Sequence, residues 1–451
     1  ETLWAMLASN PFRFVAMVFN LRFGKAYFKS CVAKSAFLDA AKLPFNTQVI
    51  NYIHDWKKGG GKVALVTASN QIIADEVGRH LNLFDNVYGS NELVNLKGQQ
   101  KARFLCEKFG AGEFAYIGDS KADLSVWEEA CSVIAVNPSF DLKLQLENRF
   151  DNVKYLLSDE SKHREIIRLF RPTQWVKNIL IFAPIVAAQS RDLSALLNNV
   201  FAFLIFCMIA SAVYIINDAF DIQNDRNHPV KNQRPLACGS IHLSEGLALS
   251  GILLILGLTL SMWVDIQLFW LMSLYLILNV LYSAALKKVR FVDLLFLTMF
   301  YLARILAGSI TGNIDLTYVF LAFSGFLFVA LGSLKRLGEL VLLSNAKFEQ
   351  VPGRGYRFTD AISIRFIAAV SSFLSIAHLI GYISSDGVSK AYKNTGFLWG
   401  IVLILTGWII RLIVLTTHGK SQDPLKFTLE DRGSIVVAFF CFALMLSATF
   451  L

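Results

Sequence analysis

The stretch Asn217-Asp218-Ala219-Phe220-Asp221-Ile222-Gln223-Asn224-Asp225 closes a long apolar run and opens a polar loop. It carries three carboxylates headed by an amide. On a continuing helix, residues four apart fall near one face. Asn217, Asp221 and Asp225 are therefore expected to aim oxygens toward one point, with Asp218 beside them. Stacked carboxylates repel one another unless a cation neutralises them. Hard oxygen donors that fill only part of a coordination shell suit Mg²⁺, with phosphate oxygens supplying the rest. The expected chemistry is Mg²⁺-assisted handling of a diphosphate beside a membrane. Asp218, Asp221 and Asp225 are the expected catalytic and metal-holding residues, and Asn217 a substrate contact.

The surrounding composition agrees with a membrane setting. The chain has 451 residues, of which 55% are hydrophobic and only 17% charged. That is too apolar for an ordinary soluble protein and indicates a polytopic membrane protein of more than one domain. Lys and Arg number 43 against 34 Asp and Glu, a net charge of +9. In such a chain the surplus belongs to basic loops, and no nucleic-acid partner is expected. Cys31, Cys106, Cys131, Cys207, Cys238 and Cys441 are scattered without a CxxC pair, which reads as free thiols in a reducing compartment. The histidines lack zinc-ligand spacing. Asn10 and Arg13 interrupt the first apolar stretch, so a signal peptide is not expected.

Composition shifts near residue 170. Beyond it, nine apolar runs stand as candidate spans, near 178–190, 196–216, 243–263, 267–286, 292–311, 316–334, 361–384, 396–416 and 434–451. Most approach the ~20 residues that a bilayer core requires. Pro184 marks the first as broken or tilted. With the N-terminal region in the cytoplasm, cytoplasmic loops hold Arg226, Lys231, Arg234, Lys287, Lys288, Arg290, Lys335, Arg336, Lys347, Arg354, Arg357, Lys420, Lys426 and Arg432. Outer loops hold Arg191, Lys390 and Lys393. This bias predicts a multi-pass protein of the bacterial inner membrane, with its soluble region and sites facing the cytoplasm. Arg304 lies within the fifth span, where a charge is functional or paired by default.

Residues 1–160 have an α/β rhythm, and a basic juxtamembrane linker helix is expected over 161–177. Lys62–Ser69 and Phe114–Asp119 read as strands, with helices near 71–82 and 98–109. Such alternation predicts a doubly wound sheet with sites at the carboxyl ends of its strands. Gly59-Gly60-Gly61-Lys62 precedes a strand and reads as a turn. Over residues 3–155 the sequence resembles the haloacid dehalogenase-like phosphohydrolases. Leu65-Val66-Thr67-Ala68-Ser69 resembles the motif whose hydroxyl binds the phosphoryl group. Lys101, or Lys97, resembles the lysine that neutralises it. Gly118-Asp119-Ser120-Lys121-Ala122-Asp123 resembles the GDxxxD motif whose carboxylates hold Mg²⁺. The resemblance thus implies Asp119 as a catalytic residue, Asp119 and Asp123 as metal ligands, and Thr67 and Lys101 as substrate contacts. The family's DxDxT strand has no counterpart in residues 1–160. The expectation is a native chain that extends upstream to supply this central strand and its nucleophile, with residues 3–58 as a helical cap; the alternative is a degenerate domain kept as a scaffold.

From residue 168 to the end the chain resembles the UbiA superfamily of intramembrane prenyltransferases, in the branch that contains decaprenyl-phosphate phosphoribosyltransferases. Arg171-Pro172-Thr173-Gln174-Trp175-Val176-Lys177-Asn178 resembles that branch's entry motif. Asp225–Gly239 resembles its HPxKxxRPxAxG loop. Tyr282-Ser283 with Lys287 and Asp293 resembles its second polar loop. Leu297 stands where a second DxxxD motif would place its last carboxylate. The resemblance implies a UbiA-like all-α membrane domain over 178–451. Its substrates would be phosphoribosyl diphosphate and polyprenyl phosphate, with Mg²⁺ as cofactor, and the fused phosphatase would remove the 5-phosphate. Arg171, Lys177, Lys231, Arg234, Tyr282, Lys287, Asp293, Lys335 and Arg336 are the expected substrate contacts. Membrane lipids are the expected surroundings, and a homo-oligomer is compatible with the sequence. Two other readings remain open at this point. One is prenyl transfer from a prenyl diphosphate to an aromatic or other acceptor. The other is a transporter or lipid-binding scaffold, which the position of the acidic cluster at a loop disfavours.

Overall fold

The computed structural model describes residues 39–91, 94–157, 162–228, 230–284, 286–344, 355–385, 388, 392–419, 428 and 431–450. Residues 3–38 of the expected 3–58 cap, Cys31, and the residues Lys347, Arg354, Lys390, Lys420 and Lys426 lie outside them. The chain divides into two compact units, Glu1–Leu169 with Ile216–Leu247, and Phe170–Ile215 with Ala248–Leu451.

In the first unit, α1 (Thr47–Lys58) leads into β1 (Ala64–Asn70), α2 (Gln71–Leu81), β2 (Asn86–Ser90) and α3 (Gln99–Phe109). Then come β3 (Ala115–Gly118), β4 (Ser132–Val136), α4 (Phe140–Arg149), β5 (Val153–Leu156) and α5 (Lys162–Phe170). Capping explains two of the starts. Asn46 accepts from Gln48 N–H at 3.0 Å, and Asn70 from Ile72 N–H at 3.0 Å, satisfying orphan donors at the heads of α1 and α2. All strand pairs are parallel, as the alternation predicts. They form two sheets rather than one continuous sheet: β1–β2, and β3–β4–β5. Ala102 and Leu105 of α3, with Val126, form a buried cluster that packs Val66 of β1 and Tyr116 of β3. A second core lies beneath β4, from Trp127, Val133, Ala135, Leu142 and Leu146.

The linker expected as one helix over 161–177 is, over its described residues, two elements: α5 and the start of a 3₁₀ segment. Helix α5 clamps the loop after the acidic cluster. Arg168 donates to Gln233 O at 2.9 Å, Ser240 donates to Glu165 at 2.9 Å, and Lys162 pairs with Glu245 at 2.9 Å.

The second unit begins with the 3₁₀ segment Pro172–Phe182 and the short α6 (Ala183–Ala187). Proline explains the break. Pro184 has no N–H to donate and sits in the first turn of α6, where none is needed, so it starts that short helix rather than continuing one from the preceding segment. Eight helices follow that are long and apolar enough to cross a membrane. They are α7 (Leu193–Arg226), α8 (Leu243–Val264), α9 (Ile266–Ala284), α10 (Val292–Gly312), α11 (Tyr318–Ser344), α12 (Ala361–Ile383), α13 (Gly396–Thr417) and α14 (Arg432–Phe450). Of the nine expected runs, 178–190 is the one that forms no long helix among the described residues.

Two features anchor the 3₁₀ segment. Asn199 on α7 donates to Ile181 O at 3.2 Å. Gly308 on α10 lies so close that a Cβ there would sit 1.8 Å from Ile181 O. Around this contact, Phe206, Tyr275 and Phe300 pack edge to face within the buried cluster of Ile181, Ile205, Ile209, Leu268 and Met272.

Gly308→Ala is expected to lower stability in detergent by more than about 2 kcal/mol, because backbone cannot yield as a side chain can. Gly257→Ala is the comparison. Its Cβ would meet the Ile209 side chain at 2.7 Å, and that chain can change rotamer. Equal melting temperatures for the two variants would contradict the backbone contact.

Candidate functional site

Helix α7 has 34 residues. At ~1.5 Å per residue it is roughly 50 Å long, against about 30 Å for a bilayer core. Its last turns therefore extend beyond an apolar layer, and these turns carry the carboxylates. The helix runs unbroken to Arg226, as the spacing argument assumed. The pairing within it differs from the expected i, i+4, i+8 face. Arg234 Nη1 donates to Asp218 Oδ1 at 3.0 Å and to Asp225 Oδ2 at 2.5 Å. Asp218 and Asp225 are seven residues apart, almost two whole turns, and so share a face closely. Both are buried, whereas Asn217 and Asp221 are half-buried.

The loop is organised to present Arg234. Arg226 Nε donates to Ala237 O at 3.1 Å. His228 Nδ1 accepts from Val230 N–H at 3.2 Å and Lys231 N–H at 3.3 Å. Burial, then the Lys231 charge, hold the His228 imidazole below its usual pKa. Its role is to shape the turn. Lys231 itself is exposed.

The donor set suits a hard divalent cation: Asp218 and Asp225 oxygens converge, and Asp221 stands between them in sequence on the same helix. Among the described residues, no group of three His, Cys, Asp or Glu side chains forms a complete metal site. The set fits a cation shared with phosphate oxygens.

In the second unit, Asp293 and Arg336 meet in a buried cluster. Arg336 Nε donates to Asp293 Oδ2 at 2.6 Å, and Tyr356 OH donates to Asp293 Oδ1 at 2.6 Å. Arg336 Nη1 donates to Glu339 at 2.7 Å, and Nη2 approaches Tyr282 OH at 3.5 Å. Phe291 N–H donates to Tyr356 OH at 3.0 Å. Asp293 is 0% exposed and Arg336 1%. Both carboxylate oxygens of Asp293 are therefore engaged, and the cluster ties α10, α11 and the segment before α12 together. Tyr356 was not foreseen from the sequence, since the sequence around it carries no periodic signal. Lys287 is half-buried in the 3₁₀ turn Leu286–Lys288, and Lys335 is half-buried within α11, which runs on past the expected loop position of Lys335 and Arg336 to Ser344.

Arg304 is 3% exposed, and its partners are neutral. Its Nε donates to Asn178 Oδ1 at 2.8 Å and its Nη1 to Phe300 O. The guanidinium lies 4.7 Å from the Phe206 ring centroid, 5.7 Å from Tyr275 and 5.8 Å from Tyr301. Arg171 sits over Tyr214 at 5.4 Å, and Lys177 is half-buried on the 3₁₀ segment.

In the first unit, Lys101 and Asp123 come together at 3.3 Å. Tyr116, unforeseen, completes a triangle: Lys101 Nζ donates to its OH at 2.7 Å, and that OH donates to Asp123 at 2.9 Å. Ser120 Oγ also donates to Asp123, at 2.8 Å. Burial opposes the Asp123 charge, but Lys101 and these hydrogen bonds outweigh it and hold the carboxyl below its usual pKa. Burial and Asp123 push the Tyr116 phenol above its usual range. Asp119 is exposed just past β3, and Thr67 lies in β1, where its hydroxyl accepts from Ser69 N–H at 3.1 Å.

A buried ion pair costs most when one partner is removed. Arg336→Met alone is expected to destabilise by about 3–5 kcal/mol, and the double variant Asp293→Leu/Arg336→Met to recover most of that loss. Melting curves measure the recovery, and activity assays on the recovered double variant separate scaffolding from substrate contact. A double variant no more stable than Arg336→Met would contradict the dominance of the Asp293–Arg336 pair within this cluster.

Residues 179–431 match the UbiA prenyltransferase family. A protein of Sinorhizobium fredii described as uncharacterized is 30% identical over 96% of this chain and 85% of its own length. A decaprenyl-phosphate phosphoribosyltransferase of Mycolicibacterium smegmatis is 36% identical over 59% of this chain and 86% of its own. A solved structure, a UbiA homolog from Archaeoglobus fulgidus bound to DMAPP and Mg²⁺, is 15% identical over 62% of this chain and 98% of its own, with a TM-score of 0.48. With its eight apolar helices and a family match across more than half its length, the chain belongs to the UbiA prenyltransferase family of membrane transferases.

Proposed function

We propose that the membrane region transfers phosphoribose from phosphoribosyl diphosphate to a polyprenyl phosphate. The observation that carries this reading is the state of Asp293. Both its oxygens are engaged by Arg336 and Tyr356, and Leu297 stands four residues on, so the second polar loop offers no acidic pair for a prenyl diphosphate. The similarity to the mycobacterial phosphoribosyltransferase supports the same donor.

In this reading Asp218 and Asp225, with Asp221, hold the cation, and Arg234 keeps the two buried carboxylates in register. A bound Mg²⁺ would supply neutralisation of the leaving diphosphate. The bond between C1 of the ribose and the diphosphate oxygen breaks, and diphosphate takes the electron pair. The acceptor phosphate, already an oxyanion, forms the new C1–O bond without a strong base. Lys231, Lys287 and Lys335 are assigned to phosphate charges, and the protein's work is chiefly positioning and charge neutralisation. Basic loops set the orientation, with the soluble region and the acidic loop in the cytoplasm. Helix α5 and that loop share hydrogen bonds and so lie on one side. The chain between residues 170 and 193 then crosses too. Its 3₁₀ and α6 portions extend roughly 30 Å at ~2.0 and ~1.5 Å per residue, enough for a bilayer core.

We assign the α/β part of the first unit, β1 to β5 with their helices, to phosphomonoester chemistry, with water removing the 5-phosphate from the lipid product. The Lys101 ammonium beside Asp123 supports this, together with Asp119 just past β3 and Thr67 within β1.

Side-by-side assays with phosphoribosyl diphosphate and a prenyl diphosphate are expected to give a ribosylated lipid from the first donor alone. Asp225→Asn is expected to lower that rate by at least about 10²-fold with little change in melting, and EDTA to abolish it. Prenyl transfer to a hydroxybenzoate with no ribosylated lipid would instead establish ordinary prenyltransferase activity.

In the full-length protein, Asp119→Asn is expected to make the 5-phosphorylated lipid accumulate, read by mass spectrometry of extracted product. An unchanged ratio of phosphorylated to dephosphorylated lipid would remove the phosphatase assignment.

A further inference from the structure

We propose that the first unit contains a second small-molecule site, separate from the Asp218–Asp225–Arg234 cluster, that takes a phosphorylated sugar. A cavity of about 590 Å³ opens between the 41–45 segment and the loop that follows α7. That volume lies in the range of ordinary ligand pockets. Lys42, Arg168 and Arg226 line it, and among the described residues no carboxylate does. Each of the three is engaged within the protein: Lys42 with Asp39, Arg168 with Glu165 and Gln233 O, and Arg226 with Ala237 O. The described wall thus offers basic side chains and no acid, and Arg and Lys side chains together suit phosphate oxygens.

The remaining polar wall narrows the class. Asn227, Asn232 and Gln233 add amides, which accept as well as donate. A bare anion needs donors only, whereas sugar hydroxyls use both. The aromatic in the wall, Phe45, already stacks on His80 at 5.8 Å, which disfavours a nucleobase as the main contact. None of Asp218, Asp225 and Arg234 lines the cavity, so the inference stands whichever donor the transferase uses. An occupant would nevertheless rest on the residues immediately before Arg234, and so on the loop that positions it.

The wall supplies its own reporter. Cys238 is an exposed thiol lining the cavity, and Cys131 is an exposed thiol outside it. Purified full-length protein is pulsed with iodoacetamide, and modification at both cysteines is followed by peptide mass spectrometry. Millimolar ribose 5-phosphate is expected to slow modification of Cys238 several-fold and leave Cys131 unchanged. Inorganic phosphate or ribose alone should protect far less. Lys42→Glu should shift the protecting concentration upward by roughly tenfold while its melting temperature is unchanged. Asn232→Ala serves if that variant fails to fold. Absence of protection overturns the proposal, as does equal slowing at Cys131 or unaltered protection in both variants. Equal protection by phosphate alone overturns the sugar assignment.

Discussion

A charge placed in or against hydrocarbon must carry its compensation with it, and in this protein that requirement decides which helices can adjoin. Three arginines meet it in three ways. Arg234 is held by two carboxylates of one helix, Arg336 by carboxylates of two helices, one of which a tyrosine also engages, and Arg304 by an amide, a backbone carbonyl and aromatic rings. Each solution has a structural product. The first sets the loop after α7. The second joins α10, α11 and the segment before α12. The third fastens the 3₁₀ segment, through Asn178, to α10. Removing any one of these cations would leave its surroundings polar and unsatisfied rather than merely less charged.

The division between the two acidic regions follows from these partners. Asp218 and Asp225 share one guanidinium nitrogen beside a polar loop, where a cation can replace or join it. Asp293 has both oxygens committed inside a bundle and offers no such exchange. Similar residues thus serve opposite purposes because their immediate neighbours differ, and residue type alone does not separate them.

Much of this was legible in the sequence. Runs of about twenty apolar residues gave eight helices near their expected positions, since length and hydropathy are local properties. Strands near 62–69 and 114–119 and helices near 71–82 and 98–109 fell within a few residues of β1, β3, α2 and α3. The acidic cluster was found from spacing. Which carboxylates pair was not, because Arg234 lies beyond the helix and selects Asp218 over Asp221 by loop geometry. Tyr116 and Tyr356 escaped notice for the same reason: a tyrosine becomes part of a charged cluster only through tertiary contact. The split sheet and the 3₁₀ segment also depend on non-local packing, although Pro184 marked the start of α6, where the 3₁₀ segment ends.

The close approach of Gly308 to Ile181 has a consequence for the order of assembly. The 3₁₀ segment leaves the ribosome well before α10 exists, yet the surface that receives it belongs to α10. With too few residues to be retained as a conventional helix, it can reach its final seat only after the polypeptide has been made through residue 308. The first apolar stretch to be synthesised in this region is therefore among the last to settle.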